Sequence, residues 1–100
     1  MESGPKTDML RQRVGVPHHV VFRDFVSETV LLNINTGQYH GLNPTAGRML
    51  TVLDSVNSVE AAAQQLATEF GQPLERIEED LSELCEGLLE RNLLEIRPAT

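Results

Sequence analysis

Residues 29–42, TVLLNINTGQYHGL, followed directly by Asn43-Pro44, decide the fold of this chain. The first part alternates with a period of two, which is typical of a strand with one buried face, and the residues expected on that face are Val30, Leu32 and Ile34. Asn35-Thr36-Gly37 has the composition of a hairpin turn, in which Gly37 takes the positive φ of a G1 bulge. Gln38 to Leu42 is therefore predicted to be the return strand.

The hairpin is predicted to lead directly into a helix. Asn43 suits an N-cap and Pro44 suits the first helical position, because proline has no N–H that would lack a partner there. Apolar residues then recur with helical spacing in three segments. We expect these helices at about residues 44–53, from the N-cap Ser58 to Gly71, and from about Pro73 to Asn92.

Upstream of the hairpin, residues 16–23 contain Val20, Val21 and Phe22 and are predicted to form the first strand. The predicted fold is therefore α+β and winged-helix-like, with a three-stranded antiparallel sheet followed by three helices. The 100 residues allow one domain, which we place at residues 16–97. Residues 1–15 mix glycine, proline and charges without a period, and we expect them to form a mobile arm, ordered at most near Val14.

The charge balance bears on the partners of the chain. Eight basic and fifteen acidic residues give a net charge of −7, which repels phosphate backbones and anionic membranes. The third predicted helix, where a winged-helix protein would contact DNA, carries seven acids against Arg76 and Arg91. Because nucleic-acid affinity depends first on phosphate neutralisation, nucleic-acid binding remains only as an alternative of a different class.

The residue pattern does not favour an enzyme, and no catalytic residue, metal site or cofactor is predicted. His18 and His19 are neighbours in a predicted extended segment and would point to opposite faces. A pair of His40 with Cys85 would lack an orienting carboxylate, and a buried apolar role explains Cys85 better. Asp54-Ser55 resembles the attachment site of a carrier protein, but carriers are all-helical, and a turn after the first helix is the simpler interpretation.

The sequence has no apolar run long enough to span a bilayer and no visible secretory signal. With a single cysteine it cannot form an internal disulfide. These features predict a cytoplasmic protein without a membrane partner.

With nucleic-acid binding and catalysis disfavoured, the class of protein that remains is a module that binds a peptide. If the strand order follows the sequence, Gln38–Leu42 is an exposed sheet edge, to which an extended peptide can add a strand. The third helix would supply the second wall of a groove, although its apolar residues could equally all belong to the core. The predicted peptide-binding residues are Gln38, Tyr39, His40, Gly41, Leu42, Ile77, Asp80, Leu81 and Leu84. Among these, Gly41 would allow close approach of a peptide backbone, and Asp80 could face a cation of the ligand.

The run LLNINTGQYHGLNPTAGRML at residues 31–50 resembles the signature of the PqqD-like family, through Thr36-Gly37, Tyr39 and Leu42-Asn43 in fixed spacing. The resemblance covers about residues 16–96 and is greatest to the stand-alone members from lasso-peptide gene clusters. It implies a RiPP recognition element, a module that binds the leader segment of a ribosomally made precursor peptide. The leader would lie antiparallel along the third strand, beside the third helix.

The same resemblance implies partners. Lasso-pathway members present the precursor to a leader peptidase, which is a cysteine protease, and to an ATP-dependent macrolactam synthetase. The alternative setting is pyrroloquinoline-quinone (PQQ) biosynthesis, where the peptide passes to a radical enzyme.

Overall fold

The computed structural model describes residues 5–98. Its elements are, in chain order, α1 (Pro5–Leu10), β1 (Arg13–Gly15), β2 (Val20–Asp24), β3 (Thr29–Asn33), β4 (Tyr39–Leu42), α2 (Pro44–Ser55), α3 (Val59–Phe70), α4 (Leu74–Glu90) and β5 (Glu95–Arg97). The predicted α+β fold, a three-stranded antiparallel sheet followed by three helices, is confirmed. No helix within this range is long and apolar enough to cross a membrane.

The three-stranded sheet has the order β2–β3–β4, so the strand order follows the sequence and β4 lies at an edge. The turn between β3 and β4 covers residues 34–37 and is one residue longer than predicted, because Asn33 rather than Ile34 pairs with Gln38. Gly37 has a φ of 76° and donates its N–H to the carbonyl of Asn33 at 2.7 Å. Glycine adopts this left-handed conformation without the steric cost that other residues meet.

The face of β3 that is buried is not the predicted one. Thr29 and Leu31 point into the core, whereas Val30 and Leu32 are half-buried and Ile34 is 56% exposed. The prediction for Val30, Leu32 and Ile34 was wrong because β3 ends at Asn33 and carries apolar residues on both faces. Only the position of α2 decides which face is covered, and α2 packs on the side of Thr29 and Leu31.

The helix ends follow local sequence signals. The Asn43 side chain accepts the Ala46 N–H at 2.8 Å, and the Ser58 hydroxyl accepts the Ala61 N–H at 3.0 Å. Gly71 ends α3 in the left-handed region. After α4, Asn92 has a φ of 59° and the Leu93 N–H returns to the Leu88 carbonyl at 2.9 Å, which is the pattern of a Schellman motif.

Residues 5–15, predicted to belong to a mobile arm, contain α1 and β1, while residues 1–4 lie outside the described part. Met9 and Leu10 of α1 pack against the core, and Val14 of β1 is buried within it. β1 pairs antiparallel with β5 in a second, two-stranded sheet. The partner strand lies at the opposite end of the chain, so no local pattern could indicate this pairing.

A polar cluster fastens the second sheet to the helices. The Val16 N–H donates to Asp54 Oδ1 and Arg97 Nη2 donates to the Val16 carbonyl, both at 2.9 Å. Arg97 also lies 3.8 Å from Asp54, and its guanidinium covers Gly15. Asp54, near the end of α2, therefore connects the segment after β1 and the strand β5 to the helices.

Candidate functional site

The edge strand β4 has unpaired backbone groups on its outer side. The Asn33 N–H donates to the Gln38 carbonyl at 2.9 Å, which makes these two residues a hydrogen-bonded pair at the start of the ladder. In an antiparallel ladder such pairs alternate with pairs whose backbone groups point away. In the observed register the N–H and C=O groups of Tyr39 and Gly41 therefore point to the free edge.

The side chains of β4 alternate between the two faces of the sheet. Tyr39 lies on the outer face beside Leu32 and Val21 and is 76% exposed. His40 and Leu42 lie on the inner face, where Leu42 joins the core and His40 is half-buried. Residues of a peptide paired with β4 would alternate in the same way, so every second residue would face α4.

Two cavities lie beside β4, one at each end. The cavity at the start of the strand is about 250 Å³ and is lined by Asn33, Gln38, Tyr39, His40, Arg91 and Leu93. The cavity at the end of the strand is about 390 Å³ and is lined by Asn43, Thr45, Ala46, Met49, Asp80, Glu83 and Leu84. Both reach residues of α4 or its C-terminal cap, so we name the space between the strand and the helix the β4–α4 groove.

The groove wall is one stripe of α4. Asp80, Leu84, Gly87 and Arg91 are spaced by three or four residues and so lie on one face of the helix. Gly87 lies between the two cavities, and a Cβ built on it meets only the Arg91 Nη1 atom, at 3.8 Å. The middle of the groove wall is therefore backbone without a side chain.

The neighbouring stripe of α4 belongs to the core. Ile77 and Leu81 are 2% and 0% exposed, and they line neither cavity. The structure thus places these two predicted site residues beneath the groove rather than on its surface. Their spacing fits the core stripe as well as the groove stripe, and only the packing of α3 on α4 separates the two.

Five of the predicted residues line the cavities: Gln38, Tyr39, His40, Asp80 and Leu84. The predicted site residue Leu42 lines neither cavity, because its side chain belongs to the core. Gly41 contributes edge backbone, and a Cβ on it would lie 2.8 Å from the Glu28 carboxylate. Sequence reasoning missed Asn43, Glu83, Gly87, Arg91 and Leu93. A glycine inside a 17-residue helix was the available signal, because it costs about 0.5–1 kcal/mol relative to alanine.

The groove carries charges of opposite sign at its two ends. Asp80 and Glu83 lie at the end of β4, and Arg91 lies at its start. None of the three forms an ion pair with another residue of the described range, whereas Arg48 and Glu69 elsewhere hold each other in two hydrogen bonds of 2.7 Å. The groove charges are therefore available to a ligand.

Cys85 and Ser55, whose side chains could carry chemistry, have structural surroundings. Burial, with a smaller contribution from Glu86, raises the pKa of the Cys85 thiol to about 12, so it is protonated and unreactive near neutral pH. Within residues 5–98 no group of three or more His, Cys, Asp and Glu side chains could hold a metal ion. Ser55, the last residue of α2, donates its hydroxyl to the Val52 carbonyl.

The family model described as coenzyme PQQ synthesis protein D (PqqD) matches residues 28–94. The chain belongs to the PqqD family. The match begins before β3 and ends before β5, so it contains the hairpin, all three large helices and the whole β4–α4 groove. Among curated proteins, no sequence matches this chain.

Three solved structures share the fold. TbiB1 in complex with the TbiA(beta) leader peptide is 27% identical, with a TM-score of 0.73, covering 81% of this chain and 94% of that one. Lasso peptide synthetase B1 complexed with the leader peptide is 24% identical, with a TM-score of 0.74 and coverages of 83% and 98%. The PqqD truncation of Methylobacterium extorquens PqqCD, described as a stand-alone RiPP recognition element, is 26% identical, with a TM-score of 0.70 and coverages of 82% and 87%.

Proposed function

We propose that this PqqD family member binds the leader segment of a ribosomally synthesised precursor peptide in the β4–α4 groove. The observation that carries the proposal is the free edge of β4, which faces α4 across two cavities. The leader adds a fourth strand to the sheet and pairs with the backbone of Tyr39 and Gly41. Leu84 and the open backbone at Gly87 form the opposite wall.

The similarity to characterised structures supports this proposal. TbiB1 is described with a leader peptide bound, and the Methylobacterium extorquens domain is described as a recognition element that works alone. Both match this chain over more than four-fifths of its length. The lasso synthetase B1 structure, at 24% identity, adds support for the fold only.

The enzymes that receive the leader-bound precursor are a further part of the proposal. By its resemblance to the lasso-pathway proteins, the chain presents the precursor to a leader peptidase of the cysteine-protease class and to a macrolactam synthetase. The second candidate is a PQQ pathway, which the description of the matching family model favours. Binding of the leader from each kind of gene cluster distinguishes the two: the cognate leader binds and the other does not.

The same fold could in principle bind nucleic acid, but the charges oppose it. The α4 helix would have to neutralise phosphates. The segment of residues 73–92, which contains α4 and both its ends, carries seven acids against two arginines. A labelled DNA duplex serves as the control ligand and is expected not to bind.

The first experiment is fluorescence polarisation with a labelled leader peptide from a precursor encoded beside this gene. We expect a dissociation constant at or below about 1 μM, which corresponds to about −8 kcal/mol, and no binding of the core peptide. Leu84→Asp places a charge in the groove wall and abolishes binding, while Glu90→Ala, a change at the exposed end of α4, leaves it intact. Circular dichroism confirms that both variants are folded. If both bind like the wild type, the groove is not the site.

A second variant pair tests strand addition itself. Gly41→Pro removes an N–H that points to the free edge and has no partner in β3. Gly41→Ala keeps that N–H and adds a methyl group, for which the exposed Glu28 side chain must shift. Proline is tolerated at such edge positions. We expect the proline variant to lose leader binding and the alanine variant to keep it. Equal binding by the two would show that the peptide does not pair with this edge.

A further inference from the structure

We infer that the β4–α4 groove selects a leader segment of fixed electrostatic polarity, with a cation towards its N-terminal end and an anion towards its C-terminal end. This inference rests on the proposed function and specifies its ligand. It follows from the direction of β4, the positions of the groove charges and the spacing of those charges along α4.

The direction of the bound strand follows from the sheet. β4 runs from the cavity with Arg91 to the cavity with Asp80 and Glu83. The sheet is antiparallel throughout, and antiparallel pairing is the more stable per residue. A peptide that pairs antiparallel with β4 therefore has its N-terminal side at the carboxylates and its C-terminal side at Arg91.

The carboxylate end of the groove has a net negative charge despite the helix N-terminus and the arginine nearby. The N-terminus of α2 lines the same cavity and contributes a partial charge of about +0.5. Two full carboxylates, Asp80 and Glu83, outweigh it. Arg76 lies one turn before Asp80 but lines neither cavity and forms no ion pair with it. A Lys or Arg side chain is the complement of this end, and Asp or Glu is the complement of Arg91.

The helix geometry sets the spacing of the two ligand charges. Glu83 and Arg91 are eight residues apart on α4, which is about 12 Å along the helix axis. A strand covers that distance in about four residues. Because side chains on one face of a strand recur every second residue, a spacing of about four also puts both ligand charges on the side of α4. A displacement by one residue would turn a charge to the outer face of the sheet.

The experiment compares two labelled peptides of identical composition. One is the leader from the precursor encoded beside this gene, and in the other its groove-facing cation and anion are exchanged. The net charge is the same, so long-range attraction to the chain, whose net charge is −7, does not differ. We expect the exchange to weaken binding about tenfold at low salt, equivalent to about 1.4 kcal/mol, and less at 0.5 M salt.

Reversal of the protein charges completes the test. The variant D80K/E83K/R91E is expected to bind the exchanged peptide more tightly than the natural one. The matched control E75K/R76E/E86K changes three exposed residues of α4 that line neither cavity, alters the net charge by the same amount, and should keep the natural preference. Circular dichroism verifies the fold of each variant.

The outcomes separate the two proposals. Equal affinity for the two peptides, a preference for the exchanged one by the wild type, or a natural leader without this charge pair would overturn the polarity and leave leader binding intact. If no leader peptide binds the wild type at all, the proposed function fails as well.

Discussion

The sheet meets the helices at two junctions, one tightly packed and one that leaves cavities. Where α2 crosses β3, a Cβ on Gly47 would collide with the side chain of Thr29, and Thr29 and Leu31 are buried. Where α4 passes β4, two cavities remain, and a Cβ on Gly87 would meet only the end of the Arg91 side chain, at an ordinary contact distance of 3.8 Å. Each junction thus has a helix glycine. Close packing requires Gly47, whereas no contact among residues 5–98 requires Gly87.

This difference supports the proposal that the junction of α4 with β4 binds the ligand. A glycine inside a helix costs stability, and at Gly47 the close approach of helix and strand offsets that cost. At Gly87 no close packing within the described structure offsets that cost. The unpaired charges of Asp80, Glu83 and Arg91 lie on either side of it. Features that reduce stability without improving packing are expected where a ligand supplies the missing contacts.

The two stripes of α4 give the largest contrast in stability. Leu81→Ala removes a fully buried side chain and should lower the free energy of unfolding by about 2–5 kcal/mol. Leu84→Ala trims a half-buried groove residue and should cost only about 1 kcal/mol while weakening leader binding. Urea denaturation and fluorescence polarisation measure the two effects. Similar stability losses would mean that the groove wall is part of the closed core.

The two glycines should respond to alanine with opposite signs. Gly47→Ala forces a methyl group against Thr29, whose hydroxyl is held by Asp24 at 2.6 Å, and should destabilise the protein by about 1–3 kcal/mol. Gly87→Ala meets no obstacle and should stabilise the protein by about 0.5–1 kcal/mol through helix propensity. Chemical denaturation checks both. A destabilised Gly87→Ala would remove the contrast between the junctions.

Cys85, on the closed side of α4, provides a pH signature. Burial raises the pKa of its thiol to about 12 from an ordinary value of 9.0, so the folded state resists ionisation. The stabilisation is complete below about pH 9 and is lost as the pH rises from there towards 12, by at most about 1.4 kcal/mol per pH unit.

The control for this prediction is Cys85→Ala, which lacks the thiol. Its unfolding free energy should fall less steeply between pH 9 and pH 10 than that of the wild type. Native Cys85 should also resist alkylation at pH 8 until the protein is unfolded. Rapid alkylation of the native protein would show that this face of α4 opens.

Local signals in the sequence predicted the hairpin, the three helices and their caps. Gly37, Asn43, Ser58 and Gly71 each act through neighbours within four residues, so a single sequence is sufficient to identify them. The site was predicted less completely. Half-exposed Leu84 and buried Leu81 belong to the same apolar pattern of α4. That pattern alone does not distinguish core residues from residues of the groove wall.

The sequence by itself therefore determined the β3–β4 hairpin, the three large helices and their caps. Only the tertiary structure decided which face of β3 is buried, that β1 pairs with β5, and that β4 lies at the sheet edge. It also decided that Arg91 lies at one end of the groove and the carboxylates Asp80 and Glu83 at the other. The reason is physical. Turns and caps are local hydrogen bonds, whereas burial and grooves depend on which surfaces meet, and that is fixed only when distant segments pack together.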